Sequence, residues 1–73
     1  MKNFQINKYF YEIKEQGQEF TLTIFSKVKD PSNVRGYKKS ISSVKDYKKL
    51  SGALNRIAKH SNTPKDELDQ FAI

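Results

Sequence analysis

Two stretches of alternating side chains meet around Gly17, and together they constrain the fold more than any other feature of the chain. Residues 8 to 14 set Tyr9, Tyr11 and Ile13 on one side of an extended backbone and Lys8, Phe10, Glu12 and Lys14 on the other. Residues 20 to 27 do the same with Phe20, Leu22 and Ile24 against Thr21, Thr23, Phe25 and Lys27. Between them, Glu15-Gln16-Gly17-Gln18-Glu19 carries a glycine where a hairpin needs a left-handed residue.

The pairing register follows from parity, because a slip of one residue turns an apolar set over to the other face. Pairing Ile13 with Phe20 and Tyr11 with Leu22, or Ile13 with Leu22 and Tyr11 with Ile24, keeps the faces sorted. The intermediate register sets Ile13 and Tyr11 against Thr21 and Thr23 and is rejected.

Downstream, Asp30-Pro31-Ser32-Asn33 forms a turn cluster, and Gly36 allows a second turn before Tyr37-Lys38-Lys39-Ser40-Ile41-Ser42. That segment reads as a third strand. Ser43 then reads as an N-cap with Asp46 near the positive helix end, and Tyr47, Leu50, Leu54, Ile57 and Ala58 form the apolar stripe of a helix. Thr63-Pro64 reads as the start of a short second helix carrying Leu68 and Phe71. The expected fold is α+β in one domain spanning 1–73. It has strands over about 3–14, 19–28 and 36–42 in a three-stranded antiparallel sheet, a covering helix over about 44–59 and a short helix over about 64–71.

Charge is unevenly distributed within the net +6. Residues 1–26 balance Lys2, Lys8 and Lys14 against Glu12, Glu15 and Glu19. Residues 27–59 hold Lys27, Lys29, Arg35, Lys38, Lys39, Lys45, Lys48, Lys49, Arg56 and Lys59 against only Asp30 and Asp46. The tail is mildly acidic, with Lys65 against Asp66, Glu67 and Asp69. A concentrated basic block in so small a chain is the footprint that phosphate backbones, or acidic protein surfaces, select. The expected nucleic-acid-binding residues are those ten cations together with Tyr37. Only two of them are arginines, which favours phosphate contact over bidentate base readout.

Order of elements gives a further pointer. Gly36-Tyr37-Lys38-Lys39-Ser40 followed by Ser43-Val44-Lys45-Asp46-Tyr47-Lys48-Lys49-Leu50 resembles the end of the three-stranded arm-binding domain of phage integrases. The resemblance covers residues 9 to 60 as an order of elements, and it implies a sheet laid in the major groove of DNA.

Chemistry has little to work with. His60 is the sole histidine, cysteine is absent, and each of the three glycines stands alone, so no thiolate metal site, paired nucleophile or phosphate-binding glycine loop is expected. At a helix end His60 reads as a cap or a surface residue. No cofactor, metal or catalytic residue is expected, and the chain is expected not to be an enzyme. Without cysteine or an apolar leader, and with Tyr9-Phe10-Tyr11 as its longest apolar run, it is expected to be cytoplasmic and free of the membrane.

Phe10 and Phe25 fall on the outer sheet face among lysines. They either stack bases or are covered, by Leu68, Phe71 and Ile73 or by a second copy in a homodimer. The reading that follows is a small non-catalytic nucleic-acid-binding accessory or regulatory protein, with duplex DNA favoured over RNA. The alternative is a small regulator or inhibitor, as from a phage or mobile element, that docks its basic surface on an acidic protein.

Overall fold

The computed structural model describes residues 2–73. Its elements are β1 (Lys2–Ile6), β2 (Tyr9–Gln16), β3 (Glu19–Lys29), β4 (Tyr37–Tyr47), α1 (Leu50–Ser61) and a 3-10 segment (Lys65–Phe71). The sheet is four-stranded and antiparallel in the order β1-β2-β3-β4, so the α+β class holds and the expected three-stranded sheet does not.

The first difference lies at Asn7-Lys8. One continuous strand over 3–14 would put Phe4 and Ile6 on the face opposite Tyr9, Tyr11 and Ile13. A two-residue turn, with Asn7 left-handed at φ 56°, instead pairs Phe4 with Tyr11 and Ile6 with Tyr9. All five side chains then point the same way, and burying them together outweighs the cost of a left-handed asparagine, which is small for that residue.

The second difference lies at Ser43. It is no helix cap but sits inside β4, opposite Ile24, and α1 begins after Lys49 with no side-chain cap. β4 pairs with ten of the eleven residues of β3, and the backbone ladder gained along that length prevails over a local helix signal in a serine-rich, β-branched segment. Asp46, expected at a helix start, accepts a 2.7 Å hydrogen bond from Thr21 across the two strands. An extra residue in β4 between Ile41 and Ser43 makes a bulge.

The β2–β3 hairpin takes the register that sets Ile13 on Leu22 and Tyr11 on Ile24, and its closing pair is Gln16–Glu19. Phe4, Ile6, Tyr11, Ile13, Leu22 and Ile24 form one face, covered by Ala53 and Ile57 of α1 and by Leu68 of the 3-10 segment. Leu50, Ala53, Leu54, Ile57 and Ala58 recur at helical spacing, which is why α1 lies flat on that face. It ends at Asn62 in the left-handed conformation, whose N–H donates to the Ala58 carbonyl.

Leu68 and Phe71 pack into this helix-side core and do not cover Phe10 and Phe25. The chain end instead runs along β1, where Ala72 bridges Phe4 and the Ile73 N–H donates to Asn3. One sheet edge is thereby closed, while the β4 edge is open.

Candidate nucleic-acid interface

β3 and β4 outrun β2. Pairing between β2 and β3 stops at Tyr9–Ser26, whereas β3 and β4 continue through Lys27–Lys39, Val28–Lys38 and Lys29–Tyr37. The continuation is a two-stranded ribbon closed by the turn from Asp30 to Gly36.

That turn is held by its own short polar side chains. Asp30 Oδ1 accepts from the Ser32 hydroxyl at 2.6 Å and from its N–H at 3.1 Å. Asn33 Oδ1 accepts from the Arg35 N–H at 3.0 Å. The Asp30 N–H donates to the Gly36 carbonyl at 3.0 Å, with Gly36 at φ 80°. Such local bonding fixes the tip without any core. It presents Arg35 and the fully exposed Val34 to solvent.

The ribbon gathers six of the expected site residues: Lys27, Lys29, Arg35, Tyr37, Lys38 and Lys39. Lys27, Lys29, Tyr37 and Lys39 share the sheet face opposite α1, and Lys38 lies on the other face beside Val28. Lys27 and Lys39 stand directly opposite each other, an arrangement that costs stability in a strand pair. Each is drawn onto an aromatic ring, Lys27 Nζ 4.0 Å from the Tyr37 centroid and Lys39 Nζ 4.4 Å from that of Phe10. Tyr37 stacks on Phe10 at 6.3 Å. Phe10 is therefore buried beneath Lys39 and Tyr37, so it is not an open platform for a base. Phe25 is half-buried beside it, and the two line a shallow depression of about 250 Å³ with Glu12, Lys39 and Ile73.

The remaining five cations are not brought to the ribbon. Lys45 is on the helix side of β4, opposite Leu22, with Nζ 5.5 Å from the Tyr47 ring. Lys48 and Lys49 form the bend into α1, and Arg56 and Lys59 are exposed on α1, with the sheet between them and the Lys27–Lys39 face. The expectation that Lys45, Lys48 and Lys49 ride on the helix is corrected by the length of β4, which delays the start of α1 to Leu50.

Lys8 is outside the expected set yet lies at the root of the ribbon, where its carbonyl accepts the Lys27 N–H at 3.0 Å. Its signal is the change of face between Ile6 and Tyr9, which demands a turn at Asn7-Lys8 and folds Lys8 back toward the basic block. Among the described residues the only salt bridge joins Lys14 to Glu12 at 3.7 Å, so no ribbon cation is neutralised by a carboxylate.

A separate polar pair lies between sheet and helix. The Tyr11 hydroxyl and His60 Nδ1 share a 2.7 Å hydrogen bond, and the Tyr9 ring meets His60 edge-on at 4.8 Å. Burial pushes the Tyr11 phenol up to about 12, aided by neighbouring Tyr9. Burial, then the Arg56 charge, holds the His60 imidazole below its ordinary value. His60 is thus the neutral partner of a buried phenol, and the helix cap is Asn62. Among the described residues no three metal-ligating side chains cluster, and no helix is long and apolar enough to cross a membrane.

No protein-family model, curated protein or solved structure matches this chain. The four-stranded sheet and the long β4 also depart from the three-stranded order on which the integrase resemblance rests.

Proposed function

We propose that the chain is a non-catalytic nucleic-acid-binding module that lays its β3–β4 ribbon in the major groove of duplex DNA. The observation that supports this most is the ribbon itself, which extends past the core with five cations and one carboxylate between Lys27 and Lys39. A two-stranded ribbon fits a groove about 12 Å wide.

Lys27, Lys29, Lys38 and Lys39 act on phosphates along the groove walls, and Lys8 adds to them at the ribbon root. Arg35 at the tip supplies the one planar fork able to reach a base edge or clamp a phosphate, and Val34 beside it offers a thymine methyl an apolar contact. With Phe10 covered, stacking on unpaired bases has less support than groove binding.

Binding measured over a salt series with duplex DNA, single-stranded DNA and RNA tests the proposal. Affinity for duplex should be highest and fall with a log-log slope of about −0.9 per phosphate neutralised. Absence of binding to every nucleic acid at low salt removes the proposal and turns attention to an acidic protein surface.

A further inference from the structure

The two edges of the sheet differ. The β1 edge is closed by Ala72 and Ile73, whereas all of β4 from Lys38 to Asp46 is exposed on its outer side. Long open edges are templates for pairing with another chain.

What this edge would pair with is decided by its bulge. In β3 the Lys27 N–H turns toward β2, and backbone direction alternates along an antiparallel strand, so Phe25, Thr23 and Thr21 turn toward β2 as well. Their β4 partners, Lys39, Ile41, Val44 and Asp46, consequently direct their own N–H and C=O groups outward. All four side chains lie on the open sheet face, because the extra residue between Ile41 and Ser43 resets the alternation. Without that bulge, Ile41 and Val44 would lie on opposite faces.

We propose that β4 pairs antiparallel with β4 of a second copy of this chain, about a two-fold axis between Ser42 and Ser43. In this register Ile41 faces Val44 of the other copy and Lys39 faces Asp46, each pair occurring twice and each exchanging both backbone hydrogen bonds. Two of the exposed large apolar residues of the sheet, 63% and 57% accessible, then cover one another. The one carboxylate on β4 meets a lysine, and Lys45 falls opposite Ser40 and Lys38 opposite Tyr47. A shift of two residues either way sets Lys39 against Val44, or Ile41 against Asp46, and forfeits both matches. The bulge thus makes the edge complementary to itself in one register.

The result is a continuous eight-stranded sheet. Its two-fold axis is perpendicular to the sheet, so both copies present the Lys27–Lys39 face on the same side. The pairing does not depend on nucleic acid and is tested without it.

Sedimentation equilibrium in nucleic-acid-free buffer should show a concentration-dependent dimer. Lys39→Asp alone and Asp46→Lys alone each set like charges across the new ladder twice and should raise the dimer dissociation constant about tenfold. The double variant Lys39→Asp/Asp46→Lys restores an opposite pair and should return close to the parent value. That recovery is the decisive readout, since Lys39 also covers Phe10 and Asp46 also accepts from Thr21, and removing both of those interactions would add rather than cancel. Ile41→Lys, at an exposed position, should give a folded monomer with an unchanged circular dichroism spectrum. A parent chain that stays monomeric at its highest soluble concentration, or a double variant as weak as the singles, overturns the proposal.

Discussion

The two halves of this sheet are built for different purposes. In β1, β2 and the first half of β3, apolar side chains alternate into the core, and Phe4, Ile6, Tyr11, Ile13, Leu22 and Ile24 are each at most 2% exposed. In β4 and the last residues of β3, no side chain is buried, and Val28, Ile41 and Val44 are open to solvent. The first half supplies the stability and is almost electrically balanced. The second holds the cations and depends on the first to stay formed. The cation-rich surface and the core can therefore be altered separately, which is unusual in a chain this small.

The largest effect should come from cutting the core where the tail enters it. Leu68→Ala removes a side chain packed against β1 and α1 and should cost about 2 to 5 kcal/mol in urea unfolding, enough to unfold much of the population. At a temperature where the variant remains folded, its DNA affinity should match the parent. Equal losses of stability and affinity would break the separation.

Tyr11→Phe comes next. It deletes the hydrogen bond to His60 and should cost about 1 kcal/mol near pH 8. It should also remove one limb of the pH profile. The folded phenol holds its proton up to about 12 while the unfolded one releases it near 10, so between those values the folded state binds more protons and stability falls as pH rises. Tyr11→Phe abolishes that alkaline loss. His60 acts at the other end: its folded value is depressed, so the unfolded state binds more protons below about pH 6.5 and stability declines as pH falls. His60→Gln should flatten the acid limb in a pH series of thermal melts.

Gly36→Ala should be smaller in consequence for the molecule as a whole. Its Cβ meets nothing, so the cost is the left-handed backbone alone, about 1 kcal/mol and confined to the ribbon tip. Amide exchange should quicken over residues 30–37 and stay unchanged in β2. Smallest in stability is replacement of Lys29, Arg35 and Lys38 by alanine, expected within about 0.5 kcal/mol of the parent.

The buried half is legible in the sequence because burial writes a period. Tyr11, Ile13, Leu22 and Ile24 mark the hairpin and the parity of its register, and Leu50, Leu54, Ile57 and Ala58 mark the helix. The Asn7-Lys8 turn escapes notice for lack of glycine or proline, although the switch of face from Phe4 and Ile6 to Tyr9 and Tyr11 records it. β4 reads too short for a deeper reason. An edge strand with no buried face has no apolar period to read, and Tyr47 at its end stands in helical step with Leu50 and Leu54 behind a cap-like Ser43, so the last turn of the strand imitates a helix. The same imitation displaces part of the site: a cation block continuous in sequence is divided in space among ribbon, strand edge and helix.

That division is the central claim, and the most direct measurement is the salt dependence of duplex DNA binding for two variants beside the parent. The first replaces Lys29, Arg35 and Lys38 on the ribbon with alanine; the second replaces Arg56 and Lys59 on α1. The ribbon variant should bind more weakly, its slope flattened by about one unit for each phosphate it no longer neutralises, and the helix variant should keep the parental slope. A flattened slope in the helix variant with an unchanged one in the ribbon variant would contradict the account.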